Sequence, residues 1–186
     1  MQAIETVTVG SGGVASITFS SIPDTFTDLF IKLSLRGTST SIYPRPMLYQ
    51  FNGSTTGYSA RTLVAANALT PASYSLTTMT SNSLTGGRLA DGWIAPSNAT
   101  ASTFSNADWY IPNYKSSAAK SHSLDAVAEN NSPNPWAAEI VAGLWTGTDP
   151  ISSILISISD SMSFAEHSTA TLYGILAGSD GTTTVT

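Results

Sequence analysis

The chain is predicted to be all-β: an antiparallel β-sandwich of jelly-roll type, with about ten strands and long loops. Three observations predict it. Apolar and polar residues alternate with a period of two in several stretches, turn signals recur about every ten residues, and no long helical period competes. The other strands are organised around the stretch 151–176, ISSILISISDSMSFAEHSTATLYGIL. Ile154, Ile156 and Ile158 share one parity, with Ser157 and Ser159 opposite, which buries one row and wets the other. Leu155 interrupts the polar row and predicts that the outer face is partly covered as well. Residues 169–176 form a second strand rich in Thr, Tyr and Ile. The link 160–168 is too long for a tight hairpin and long enough to cross an edge or change sheets.

From the N-terminus, 3–9 and 14–19 flank Gly10-Ser11-Gly12-Gly13 and read as a hairpin, since glycine reaches positive φ freely. Ile22-Pro23 ends the second strand, because proline lacks the ladder donor. Within 26–38, Leu29, Ile31, Leu33 and Leu35 alternate with Phe30, Lys32, Ser34 and Arg36. Residues 37–45 read as a loop. Met47, Tyr49 and Phe51 then form a buried row, stopped by Asn52-Gly53. Residues 54–87 carry weak periodicity and read as long surface loops, with a turn of helix over 61–69 and a short strand over 74–78. Four more strands are expected at 89–94, 102–110, 121–129 and 137–145. In the third, His122, Leu124, Ala126 and Ala128 share a face. In the fourth, Ala138, Ile140, Ala142 and Leu144 oppose Glu139, Val141 and Trp145. The run NNSPNP (130–135) is a loop.

At 186 residues, one sandwich domain over 1–177 with a polar tail at 178–186 is expected. Charged residues make up 10%, against about a quarter in an average chain, and Ser, Thr, Asn and Gly take their place. A hydrophobic content of 41% with regular alternation argues against disorder. The formal net charge is −5 and the seven Lys and Arg are scattered, so no nucleic-acid partner is expected. The N-terminus lacks a basic segment followed by an apolar run, and no stretch of about 18 apolar residues occurs, so neither a secretory signal nor a membrane partner is expected. There is no cysteine, which rules out disulfides and thiolate metal sites.

The search for chemistry assigns no catalytic, cofactor-binding or metal-binding residue. His122 lies on an apolar parity, where a hydrogen-bonded core histidine is the simpler reading than a base; His167 reads as a solvated loop residue. Asp91, Asp108, Asp125, Glu129, Glu139 and Glu166 qualify as glycosidase carboxylates by type only. Asp24 and Asp28 flank a turn and read as caps. No HExxH, EF-hand, GxSxG or phosphate-loop pattern occurs. Trp93, Trp109 and Trp145 read as core or interface residues, while Trp136, after Pro135, is the best candidate for a sugar-stacking ring.

Four phrases carry a resemblance: ITFSSIPDTFTDLFIKLSLRGT (17–38), YQFNGSTTGYSARTL (49–63), AGLWTGTDPISSILISIS (142–159) and STATLYGIL (168–176). Together and in this order they resemble a group of tailed-bacteriophage virion proteins with an ITFSSIP-type opening, an RFNG-like turn, an ISSI-type strand and a closing TLYGI strand. Residues 70–102 carry no such likeness. The resemblance implies a non-enzymatic particle component: a capsid decoration (cement) or head-fibre protein, or alternatively a tail-fibre or carbohydrate-binding module for host recognition. It implies a virion location after synthesis in the host cytoplasm. The partners it implies are further copies, as a homotrimer, the major capsid or a tail protein, and for the alternative a host surface glycan. Contacts are expected in loop 37–45 and the tail 178–186.

Overall fold

The computed structural model describes residues 1–40, 45–66, 71–81, 84–129, 137–160 and 162–176. These residues form thirteen strands: β1 (Gln2–Thr8), β2 (Ser16–Phe19), β3 (Asp28–Leu35), β4 (Arg45–Phe51), β5 (Tyr58–Ala66), β6 (Ala72–Thr77), β7 (Met79–Ser81), β8 (Leu84–Ile94), β9 (Ser105–Ile111), β10 (Lys120–Val127), β11 (Ala137–Trp145), β12 (Ile154–Ile158) and β13 (Thr169–Ile175). They make two sheets. One runs β1-β13-β3-β9-β10-β11-β5-β6 and the other β2-β12-β4-β8-β7. All strand pairings are antiparallel. The expected all-β antiparallel sandwich is what forms, with thirteen strands in place of about ten.

The alternation sets the layers. Leu29, Ile31, Leu33 and Leu35 of β3 and Leu172 of β13 meet Ile154, Ile156, Tyr49 and Phe51 of the smaller sheet in one shared core. The link between β12 and β13 changes sheets, one of the two routes its length allowed. The outer face of the smaller sheet is covered too, as Leu155 suggested: Leu48, Gln50 and Ser157, on the parity opposite the core, are buried.

Three expectations are corrected. The Gly10–Gly13 segment does not close a hairpin. β1 pairs with β13 and β2 with β12, so the chain leaves one sheet and enters the other. Its glycines serve the crossing: Gly13 has φ 73°, and a Cβ there would stand 2.5 Å from the Phe164 carbonyl oxygen. Where residues are described, the helical turn expected over 61–69 and the long loops expected over 54–87 are instead β5, β7 and the start of β8, while β6 falls on the strand expected at 74–78; 67–70 and 82–83 lie outside the described residues. The inward residues of β5 and β6 include Ala60, Thr62 and Leu76, too small and mixed to give a sharp period. Part of loop 37–45 and the tail 178–186 lie outside the described residues.

Loops are tied by side chains. Asn52 and Gly53 both take positive φ, 52° and 69°, and the Ser54 N–H closes on the Phe51 carbonyl at 2.9 Å, a primed turn. Asn52 then docks the approach to β12. Its Oδ1 accepts from the Ser152 and Ser153 N–H groups at 2.8 and 3.1 Å, and its Nδ2 donates to the Pro150 carbonyl at 2.8 Å. Asp28 accepts from the Tyr110 hydroxyl and the Asn113 N–H, each at 2.8 Å, fastening the turn after β9. That hydrogen bond, followed by burial and the nearby carboxylate charge, raises the Tyr110 pKa.

Arg36 organises the segment between β8 and β9. Its guanidinium donates to the carbonyls of Thr100 (3.0 Å), Thr103 (2.6 Å), Ser97 (2.9 Å) and Ala99 (3.0 Å). A lysine ammonium has three donors and no planar fork, so it cannot reproduce this set. Arg36→Lys is expected to lose about 2 kcal/mol of stability. An unchanged urea midpoint for the variant would show the clamp to be idle.

Candidate functional site

The solvent face of the larger sheet is the candidate site, and the strand register shows how it is built. Adjacent strands place three rungs across it. One runs Tyr173, Phe30, Tyr110, Ser123, Ala142, Arg61; the next Thr171, Lys32, Asp108, Asp125, Ile140, Leu63; the third Thr169, Ser34, Asn106, Val127, Ala138, Ala65. The face thus divides into a polar half on β13, β3 and β9 and an apolar half on β10, β11 and β5.

On the apolar half, Ile140 is 59% exposed, Leu63 51%, Val127 45% and Leu144 36%. Leu63, Ala65, Pro71, Val127, Ala138 and Ile140 line a shallow open concavity of about 530 Å³, with Asp125 at its edge. Alternation explains why these residues face out. Both parities of β11 are largely apolar, and the core takes Val141 and Trp145 while Ile140 and Leu144 remain in solvent. Glu139, on the inward parity, is buried; its Oε2 accepts from Thr62 Oγ1 at 3.3 Å. Burial lowers the Arg88 pKa, and the charge of Glu139 opposes that shift.

The polar half carries a depression of about 360 Å³ lined by Lys32, Ser34, Asn106, Asp108, Thr169, Thr171 and Tyr173 among others. Lys32 Nζ pairs with Asp108 Oδ1 at 3.1 Å and stands 5.4 Å from the centroid of the Phe30 ring. Half-exposed Tyr173, Phe30 and Tyr110 stand on neighbouring strands of one rung.

His122 is a core residue, as its parity suggested. Trp109 Nε1–H donates to Nδ1 at 3.1 Å, and Nε2 lies 2.7 Å from the Tyr49 hydroxyl. An indole can only donate, so Nδ1 accepts and the ring proton sits on Nε2, facing Tyr49. Burial pushes the imidazole pKa down to about 3. Burial, followed by the nearby Tyr58, raises the Tyr49 pKa well above its ordinary value. The ring is neutral at pH 7, closed off from solvent and already bonded at both nitrogens. It has no route to a substrate.

The remaining sequence candidates are dispersed. Asp108 is paired with Lys32, Asp125 lies on the apolar half, Glu139 is between the sheets, and Glu129, Glu166 and His167 are exposed. The Asp91 side chain and Trp136 lie outside the described residues. Asp28 ties a turn as a cap would, and the Asp24 carbonyl accepts from Lys115 Nζ at 3.2 Å. Trp93, Trp109 and Trp145 are buried in the core. Among the described residues no three His, Asp or Glu gather as a metal would require, and no helix is long and apolar enough to cross a membrane. Sequence reasoning missed the exposed apolar half. The signal was present in 137–145, whose two parities are both apolar, but alternation alone could not say which row faced out.

No family model matches the chain, and neither the curated proteins nor the solved structures give a match.

Proposed function

We propose that this chain is a non-catalytic structural component of a bacteriophage particle, a capsid decoration (cement) or head-fibre protein that stabilises the virion by protein–protein contacts. One observation carries the reading alongside the resemblance of the four phrases. Among the described residues the larger sheet exposes a face of large apolar side chains, the kind of surface that marks contact with another macromolecule. Copies of the chain, as a homotrimer, sit on the major capsid or a tail protein. A subunit that binds only the assembled lattice lowers the free energy of that state by mass action. The test is addition of the purified chain to particles stripped of accessory proteins. Saturable binding and a higher temperature of genome release are expected; no binding to capsid or tail at micromolar concentration overturns the reading.

The polar half supports a second reading, a tail-fibre or carbohydrate-binding module for host recognition. Tyr173, Phe30 and Tyr110 beside Asn106, Lys32 and Asp108 combine ring faces with hydrogen-bonding groups. Host-glycan binding that Tyr173→Ala abolishes would favour it; a glycan array without binding leaves the first reading alone.

A further inference from the structure

We infer that the apolar half of the larger sheet is the docking face for a second copy of this chain, packed sheet on sheet about a two-fold axis that runs along β11. The inference goes beyond the particle assignment and does not depend on it, since the contact is between copies in solution.

The occupant is read from where the charges stand. Two charged side chains of opposite sign flank the apolar rows: Asp125 on β10 and Arg61 on β5, with β11 between them. Both are exposed, and Arg61 donates only to its neighbour Ala60's carbonyl, at 3.3 Å. The ion pairs seen among the described residues lie elsewhere, at Lys32–Asp108 and Arg45–Asp160.

For two sheets to meet face to face by a two-fold, the axis must lie in the plane between them. An axis across the strands sets β10 over β10 and brings Asp125 toward its own copy. An axis along β11 sets β10 of one copy over β5 of the other. Asp125 then faces Leu63, and Arg61 faces Ser123, one rung away from Asp125. That offset is about 7 Å along the strand and about 10 Å across the gap, within the combined reach of an arginine and an aspartate side chain. The pair forms twice, as an isologous contact requires.

Ile140 and Ala142 lie on the axis and meet their own copies, while Val127 and Leu63 interdigitate beside them. Strands then run nearly aligned, the common geometry of packed sheets. Among the described residues this half carries no aromatic ring for a sugar and no excess of basic groups for a phosphate surface. A three-fold ring is heterologous and would not place this one face against itself.

Sedimentation equilibrium of the purified chain tests the contact, with far-UV dichroism confirming that each variant is folded. The expected mass is two chains, or a multiple of two, and Ile140→Asp halves it. Arg61→Asp and Asp125→Arg should each weaken association by about tenfold or more, and the double swap should restore most of the loss. A single-chain mass at every concentration overturns the inference. So does a double swap no better than either single change, or a three-chain mass that Ile140→Asp reduces to one. If Ile140→Asp leaves the mass unchanged and blocks only particle binding, the face belongs to the particle and the inference fails while the particle assignment stands.

Discussion

Lowering the pH from 7 to 4 is expected to remove about 3 kcal/mol of folding stability through His122 alone. The sign follows from the two states. In the unfolded chain the imidazole takes up a proton as the pH falls through its ordinary value of 6.5, whereas in the fold it stays neutral down to about 3. Between those values the unfolded state binds more protons, so acid favours unfolding. The stability is fully present above 6.5 and is lost progressively as the pH falls toward 3. The geometry gives the physical reason. Nδ1 must accept from Trp109, so a proton there would oppose a donor with a donor, and the ring has almost no contact with water to solvate the charge. His122→Asn has no titration in this range. Its urea-unfolding free energy, measured at pH 7, 5 and 4, should fall less steeply than that of the natural chain by about this amount. Parallel curves for the two would mean that His122 titrates normally in the fold.

The same residue shows what could be read from the sequence and what could not. His122 shares parity with Leu124, Ala126 and Ala128, so a period of two was enough to place it in the core. Alternation was equally sufficient for β3, whose leucines and isoleucine all face inward, and for the isoleucines of β12, but Ser157 and Ser159, expected on a wet row, are buried as well. It failed on β5, where Ala60 and Thr62 are buried while Leu63 is exposed, the reverse of what side-chain type suggests. The inner face of β5 packs toward β8, and its buried row runs from Tyr58 through Ala60 to Thr62, whose hydroxyl donates to the buried Glu139 of β11. The hairpin at Gly10–Gly13 failed for another reason. Local turn chemistry specifies a reversal of the chain, but not whether the second strand returns to the first sheet or crosses to the other. The apolar half of the larger sheet needed the register across β10, β11 and β5, which assembles residues from three separate stretches. The doubly apolar stretch 137–145 signals one strand of it, but not the neighbours that complete the face.

Gly143→Ala is expected to cost about 3 kcal/mol or more, an effect no turn or helix propensity would anticipate. Gly143 sits in the interior of β11, where glycine has no intrinsic advantage, and it is the registered partner of His122. The imidazole lies over the gap left by the missing side chain. A Cβ at Gly143 would overlap Cε1 of the ring and stand 2.5 Å from Nε2 and 2.6 Å from Nδ1. The ring cannot give way easily. It is held at one nitrogen by Trp109 and at the other by Tyr49, and its ring centroid lies 5.2 Å from Tyr49, 5.7 Å from Phe51 and 5.5 Å from Trp109. A methyl group must therefore displace the histidine, break two buried hydrogen bonds, or push β11 away from its neighbours. A double-mutant cycle separates this clash from a general dislike of alanine at the site. His122→Ala alone opens a cavity and leaves the Trp109 N–H without a partner, and Gly143→Ala alone overfills the same space. Together the two changes should cost at least 1 kcal/mol less than the sum of the single losses, because the new methyl occupies room the ring has vacated. Strict additivity in thermal and urea unfolding would show that the ring does not occupy the space above Gly143, and with it the bridge between Tyr49 and Trp109 would have to be abandoned.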